Sequence, residues 1–151
     1  MLREVEDPKP VGRRPLRVAW ITYFPIEWLT ELPPELQNLP RQHPATWQRV
    51  LWEEFVRDEG LELHILVLRN QFPQSMRFRR GNTTFHCIKT PRGIRAPSFF
   101  WVDTAIVSRE LKSIAPDLVH AWGTEYGSAA VAGRLKWPTL VTMQGILTWY
   151  A

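Results

Sequence analysis

The sequence predicts an α/β domain: a doubly wound, Rossmann-like parallel sheet of about five strands. Three observations carry this. Five short β-rich runs, at 16–24, 61–68, 83–89, 118–121 and 139–143, alternate with helical patterns. The first run, LRVAWITYF, is apolar almost throughout, as a strand covered on both faces should be. Right-handed crossovers then give the strand order 3-2-1-4-5, with a switch point between the first and fourth strands.

In chain order, residues 1–15 are charged and proline-punctuated and read as a flexible arm; the domain occupies 16–151. The first strand ends at Phe24-Pro25. The connection 26–43 carries Pro33, Pro34 and Pro40 among Trp28, Leu29, Leu32, Leu36 and Leu39. Its length exceeds the usual ~2–6 residues, which points to a functional lid. Pro44 suits a first helical position, and Trp47, Leu51 and Phe55 recur every fourth residue, so 45–58 is helical until Gly60. The second strand, LELHILVL, follows. Residues 70–82 read as a loop with Arg77, Arg79 and Arg80, and TTFHCIK as the third strand. After the turn-rich PRGIRAP, Ser98 can cap a helix over 99–114 with the stripe Phe99, Val102, Ile106, Leu111 and Ile114. Pro116 ends it. The fourth strand enters Gly123, and a helix of small residues (126–136) leads to the fifth strand and Gln144-Gly145.

Composition narrows the function classes. With 44% apolar and 23% charged residues, 151 residues suffice for one domain with a true core. A net charge of +4 is too diffuse to imply nucleic acid. The single cysteine, Cys87, leaves no intramolecular disulfide and suits a reducing cytoplasm. No Cys/His spacing implies a metal. Neither G-x-G-x-x-G nor a P-loop follows the first strand.

The expected site lies in the stretch 117–126, DLVHAWGTEY. It offers a strand end, a glycine that admits a ligand to the backbone, and a helix start. Trp122, Thr124 and Glu125 place an aromatic, a hydroxyl and a carboxylate within four positions. The charge of Glu125 complements a helix dipole and repels phosphate, so a polyol fits better. Trp122, Gly123, Thr124, Glu125, Gln144, Gly145 and Phe24 are the candidate binding residues. His120 and Glu125 are the catalytic candidates, each with a plain alternative: a hydrogen-bonded strand imidazole and a first-turn carboxylate. Arg77, Arg79, Arg80, Arg92 and Arg95 could form a basic rim for an anionic lipid or a phosphorylated acceptor, or be solvated loop charge.

DLVHAWGTEYG, followed by PTLVTMQGI, resembles the N-terminal half of family-four glycosyltransferases of the GT-B type, from about Leu16 onward. Trp122 and Gln144 stand where many members carry histidine, and a sub-group with W-G-T-E and Q-G is more similar. The resemblance implies two Rossmann-like domains with catalysis between them. The C-terminal domain, absent here, would hold the nucleotide-sugar donor without a metal. This half would bind a sugar, glycan or lipid-linked acceptor, carry no cofactor, and be inactive by itself as a retaining transferase of polysaccharide assembly. The expected setting is the cytoplasm or the inner face of the membrane, with peripheral membrane association. Self-association through an exposed sheet edge is expected too. The alternatives are a non-catalytic Rossmann-like module that binds a ligand or partner, or another GT-B enzyme such as a sugar-nucleotide epimerase.

Overall fold

A computed structural model of the chain describes residues 14–41 and 46–143, excepting the side chains of Thr46 and Glu125. The expected arm thus falls outside the described residues save its end, where the Arg14 guanidinium donates to both oxygens of Asp117 at 2.9 and 2.6 Å.

Six strands form one sheet: β1 (Leu16–Ile21), β2 (Leu61–Arg69), β3 (Met76–Arg80), β4 (Thr83–Lys89), β5 (Leu118–Trp122) and β6 (Thr139–Thr142). Their spatial order is β3-β4-β2-β1-β5-β6. All neighbours are parallel except β3 and β4. The five parallel strands reproduce the order expected from the sequence. The sixth corrects it: 76–80 is an antiparallel edge strand and not loop. MRFRR alternates with period two, and Gly81-Asn82 makes a two-residue hairpin turn with φ +54° at the glycine. Phe78 stacks flat on Phe85 across the pair, centroids 4.8 Å apart. The outward arginines suit an edge that should not recruit further strands.

Helix α1 (Thr46–Phe55) covers one face of the sheet; α2 (Trp101–Ile114) and the short α3 (Ser128–Ala132) cover the other. Alternate strand residues divide accordingly. Trp20, Leu63, Ile65, Val67 and Phe85 are buried on the α1 side, whereas Ala19, Ile21, Leu66, Val119 and Ala121 meet Val107, Leu111 and Val131 on the other. Each large apolar side chain removed from water contributes about 1.5–3 kcal/mol.

The proline-rich connection is packing, not a lid. It forms 3-10 turns at Ile26–Trp28 and Pro34–Leu36, with Ile26 and Leu36 wholly buried and Leu29, Leu32 and Leu39 against the α1-side core. Glu31 reaches Arg80 at 3.1 Å, beside the amino end of β4, so the segment descends the face instead of closing over the strand ends. Both long helices pack part of the expected stripe against the core, Leu51 and Phe55 in α1 and Leu111 and Ile114 in α2, but add polar residues to it. In α2 the buried positions are Asp103, Thr104, Val107, Leu111 and Ile114, with Phe99 outside the helix and exposed. In α1 Gln48 is buried, and the Thr22 hydroxyl donates to its Oε1 at 2.6 Å, while Trp47 and Val50 are exposed. Ser98 does not cap α2; its hydroxyl donates to the Arg95 carbonyl, and Phe100 takes the cap position with φ +61°.

Candidate ligand-binding site

Five parallel strands bring Ile21, Arg69, Lys89, Trp122 and Thr142 to one carboxyl edge. The order turns about β1 and β5, and the segments leaving those strands meet. Tyr23 stacks on Tyr126 with centroids 4.5 Å apart and planes 18° apart. Tyr126 is held in the left-handed region at φ +54°, and Gly127 follows at φ +81°. A Cβ at Gly127 would lie 2.3 Å from the Phe100 ring, so only glycine permits this corner.

Beside the tyrosine pair lies a cleft of about 310 Å³, lined by Tyr23, Arg69, Asn70, Gln71, Gly93, Arg95 and Tyr126 among others. A smaller space of about 20 Å³, room for one water, shares Tyr23, Arg95 and Tyr126 with it and is also lined by Ile21, Asp103 and Val131. The two arginines are spent on the protein. Arg69 is buried, donates to Glu27 at 2.7 Å and to the Phe24 carbonyl at 2.6 Å, and lies 4.2 Å from the Tyr23 centroid. Arg95 donates to Asp103 at 2.8 Å, with longer contacts to the Leu68 and Tyr126 carbonyls at 3.3 and 3.4 Å. Burial pushes the Asp103 carboxyl up, against the hydrogen bond and charge of Arg95; burial likewise raises the Tyr23 phenol, with Arg69 opposing. The cleft is therefore aromatic and polar, with its cations matched by carboxylates.

The residues expected from sequence lie around this cleft more than in it. Trp122 turns to the α1 side and packs against Trp20 at 5.1 Å, Trp47 at 4.9 Å and His120 at 4.0 Å. Its indole nitrogen is buried without a hydrogen-bond partner. His120 shares that side; its Nε2 is 2.8 Å from the Thr142 hydroxyl, and desolvation lowers its pKa. Phe24 is wholly buried against Trp52 and Phe85, leaving no ring surface for a ligand. Gly123 is buried at φ +81° and its amide donates to the Thr142 carbonyl, which ties the β5 and β6 ends together; Thr124 is exposed. Glu125 opens a 3-10 turn, not a capped helix: α3 begins three residues later, has five residues and has no side-chain cap. Gln144 and Gly145 lie outside the described residues.

The basic rim is largely consumed. Arg77 pairs with Glu110 at 2.5 Å, Arg80 with Glu31, Arg95 with Asp103, and Arg79 donates to the Gly81 carbonyl. Sequence reasoning passed over Tyr23, Asn70 and Gln71, reached Tyr126 only as the end of the expected stretch, and read Arg95 as part of a basic rim. One signal was available: a tyrosine lies within four residues of the end of each strand that flanks the switch point, Tyr23 after β1 and Tyr126 after β5. Among the described residues no group of three or more His, Cys, Asp or Glu could hold a metal ion, and no helix is long and apolar enough to cross a membrane. Comparison with protein-family models, curated proteins and solved structures gives no match. The class defined by fold and site is a mostly parallel, Rossmann-like α/β sheet flanked by helices, with a cleft at its carboxyl edge.

Proposed function

We propose that this domain is a Rossmann-like ligand-binding module whose carboxyl-edge cleft takes a small, uncharged polyhydroxy compound of the sugar class. One observation carries the reading: both cleft arginines are neutralised, by Glu27 and Asp103, while Tyr23, Tyr126, Asn70 and Gln71 supply aromatic surface and amides. A phosphate would have to compete with those carboxylates for its cations. A polyol needs only stacking surface and uncharged donors and acceptors.

A second and finer reading makes this module the acceptor-binding half of a retaining glycosyltransferase. It is supported by the WGTE motif, which begins at the last residue of β5, and the QG motif, which follows the adjacent parallel strand β6 in sequence. In that reading the domain positions an acceptor hydroxyl, and a second domain supplies the donor. Sugar binding alone is common to both readings, and transfer from a nucleotide-sugar by the chain joined to a donor domain separates them.

The test is an NMR titration with mono- and disaccharides, with inorganic phosphate in parallel. Sugars should shift resonances of Asn70, Gln71, Gly93 and Tyr126, and Tyr126→Ala should weaken binding by about tenfold, the worth of roughly 1.4 kcal/mol. Phosphate binding in the cleft, or sugar shifts confined to other surfaces, would reject the polyol reading.

A further inference from the structure

We infer that the connection leading into α2 is a docking surface for the interface of an anionic lipid bilayer. It does not depend on what the cleft binds, although Gly93 and Arg95 of the same connection line that cleft. Residues 89–102 contain Lys89, Arg92 and Arg95 and no acidic residue; Arg95 is paired with Asp103, which leaves Lys89 and Arg92 as the cations of the connection. This segment carries the largest exposed aromatic surface among the described residues: Phe99 is 74% and Trp101 61% exposed, and Ile94, earlier in the same connection, is exposed as well.

The turn that presents them is rigid. Phe99 and Phe100 both have positive φ, at +48° and +61°. Backbone hydrogen bonds run from the Phe99 amide to Ala96, from Phe100 to Arg95 and from Trp101 to Ser98, at 2.8–2.9 Å. The Phe100 ring is pinned over Gly127, and its two neighbours are left facing solvent. A fixed turn has already met the ordering cost that an exposed aromatic would pay on docking.

Charge and shape choose the occupant. The Arg134 guanidinium lies 4.3 Å over the Trp101 ring and donates to the Phe99 carbonyl at 2.7 Å, so a cation sits at the base of the two projecting rings. Arg92 is exposed in the same connection. Aromatic tips flanked by arginines match a headgroup layer, where rings settle at the interface and guanidinium groups meet lipid phosphates. A bilayer accepts separate projecting side chains without a matching pocket. A protein partner must supply a complementary one.

Flotation with vesicles is the test: phosphatidylcholine alone, and phosphatidylcholine with about 30% phosphatidylglycerol, at low and at high salt. The chain should bind the anionic vesicles, and the bound fraction should fall several-fold in high salt. Arg92→Glu should weaken binding by about fivefold or more. Phe99→Ser with Trp101→Ser should lower it at least tenfold while circular dichroism is unchanged; if that double variant misfolds, Phe99→Ser with Arg92→Glu decides. The inference is overturned if anionic vesicles are not bound, or if binding survives loss of these side chains. It is also overturned if the native chain dimerises and the same changes dissolve the dimer, since a second copy would then be the occupant.

Discussion

Acid should weaken this fold through its strand imidazoles, His86 above all. On the α2 side of the sheet, Arg17 donates to Glu62 at 2.9 Å, and Glu62 lies 3.1 Å from His64 Nε2. His64 Nδ1 is 3.0 Å from His86 Nε2, and His86 Nδ1 is 3.4 Å from Glu110, which also receives Arg77. If each ring carries one proton, His64 Nε2–H donates to Glu62 and His86 Nε2–H donates to His64. His86 Nδ1 is then bare, in keeping with its lack of a hydrogen-bond partner. Desolvation first, then the neighbouring His64 and Arg77, push the His86 pKa from 6.5 down to about 4, against the pull of Glu110. The sign follows. Below pH 6.5 the unfolded chain takes up a proton that the folded chain refuses, so stability falls as pH falls, and the loss levels off near pH 4. By about pH 5 it amounts to roughly 2 kcal/mol, approaching ~3 kcal/mol at the plateau. Urea denaturation of native protein and His86→Gln at about pH 8 and pH 5 isolates it: the native chain should lose ~2 kcal/mol more than the variant. Parallel pH profiles, or an NMR titration that puts His86 at or above 6.5, would refute the reasoning, because Glu110 rather than burial would then control the ring.

Three further outcomes follow from the packing. Gly127→Ala should cost roughly 2–4 kcal/mol, because it adds a clash with Phe100 to a left-handed backbone, whereas Gly93→Ala, at φ +72° with nothing within 4 Å, should cost only the ~1 kcal/mol of conformation; thermal melts of both compare the terms. Arg69→Met should destabilise by about 3–5 kcal/mol, since it removes the cation that matches buried Glu27, and adding Glu27→Gln should recover part of the loss in a denaturation series. Trp52→Phe should cost about 1 kcal/mol more than Trp122→Phe in urea, because only the Trp52 indole donates to a partner, Thr83 at 3.1 Å.

The parallel strands were legible because β1 and β2 are dense apolar runs and β4, β5 and β6 are short β-rich runs set between helical patterns. β3 was hidden by arginine, which reads as loop although its alternation with Met76 and Phe78 is that of an edge strand. The helix faces were misjudged in part, for a related reason. Asp103 and Gln48 count as surface in any apolar tally, yet both are buried because Arg95 and Thr22, from other segments, satisfy them. The site was half legible. Its edge follows from strand order, but the cleft depends on Gly127 permitting the Tyr126 turn and on Arg95 reaching back to Asp103, neither of which shows in local pattern.

Where the buried polar ties fall is itself informative about that edge. Thr22–Gln48, Arg69–Glu27 and Arg95–Asp103 all bind segments leaving the carboxyl ends of β1, β2 and β4, and each has at least one partner almost fully buried. The charged contacts at the amino ends, Arg14–Asp117, Arg17–Glu62 and Arg80–Glu31, are instead about one-third exposed or more on at least one side. Well-packed apolar groups would stabilise the carboxyl edge as well or better, so stability alone does not explain ion pairs there. What such ties supply is direction: each requires one loop geometry and penalises its neighbours, as apolar contact does not. A domain that places its most buried ion pairs at one end of its sheet, and only solvent-screened ones at the other, holds rigid the end at which a ligand would meet it.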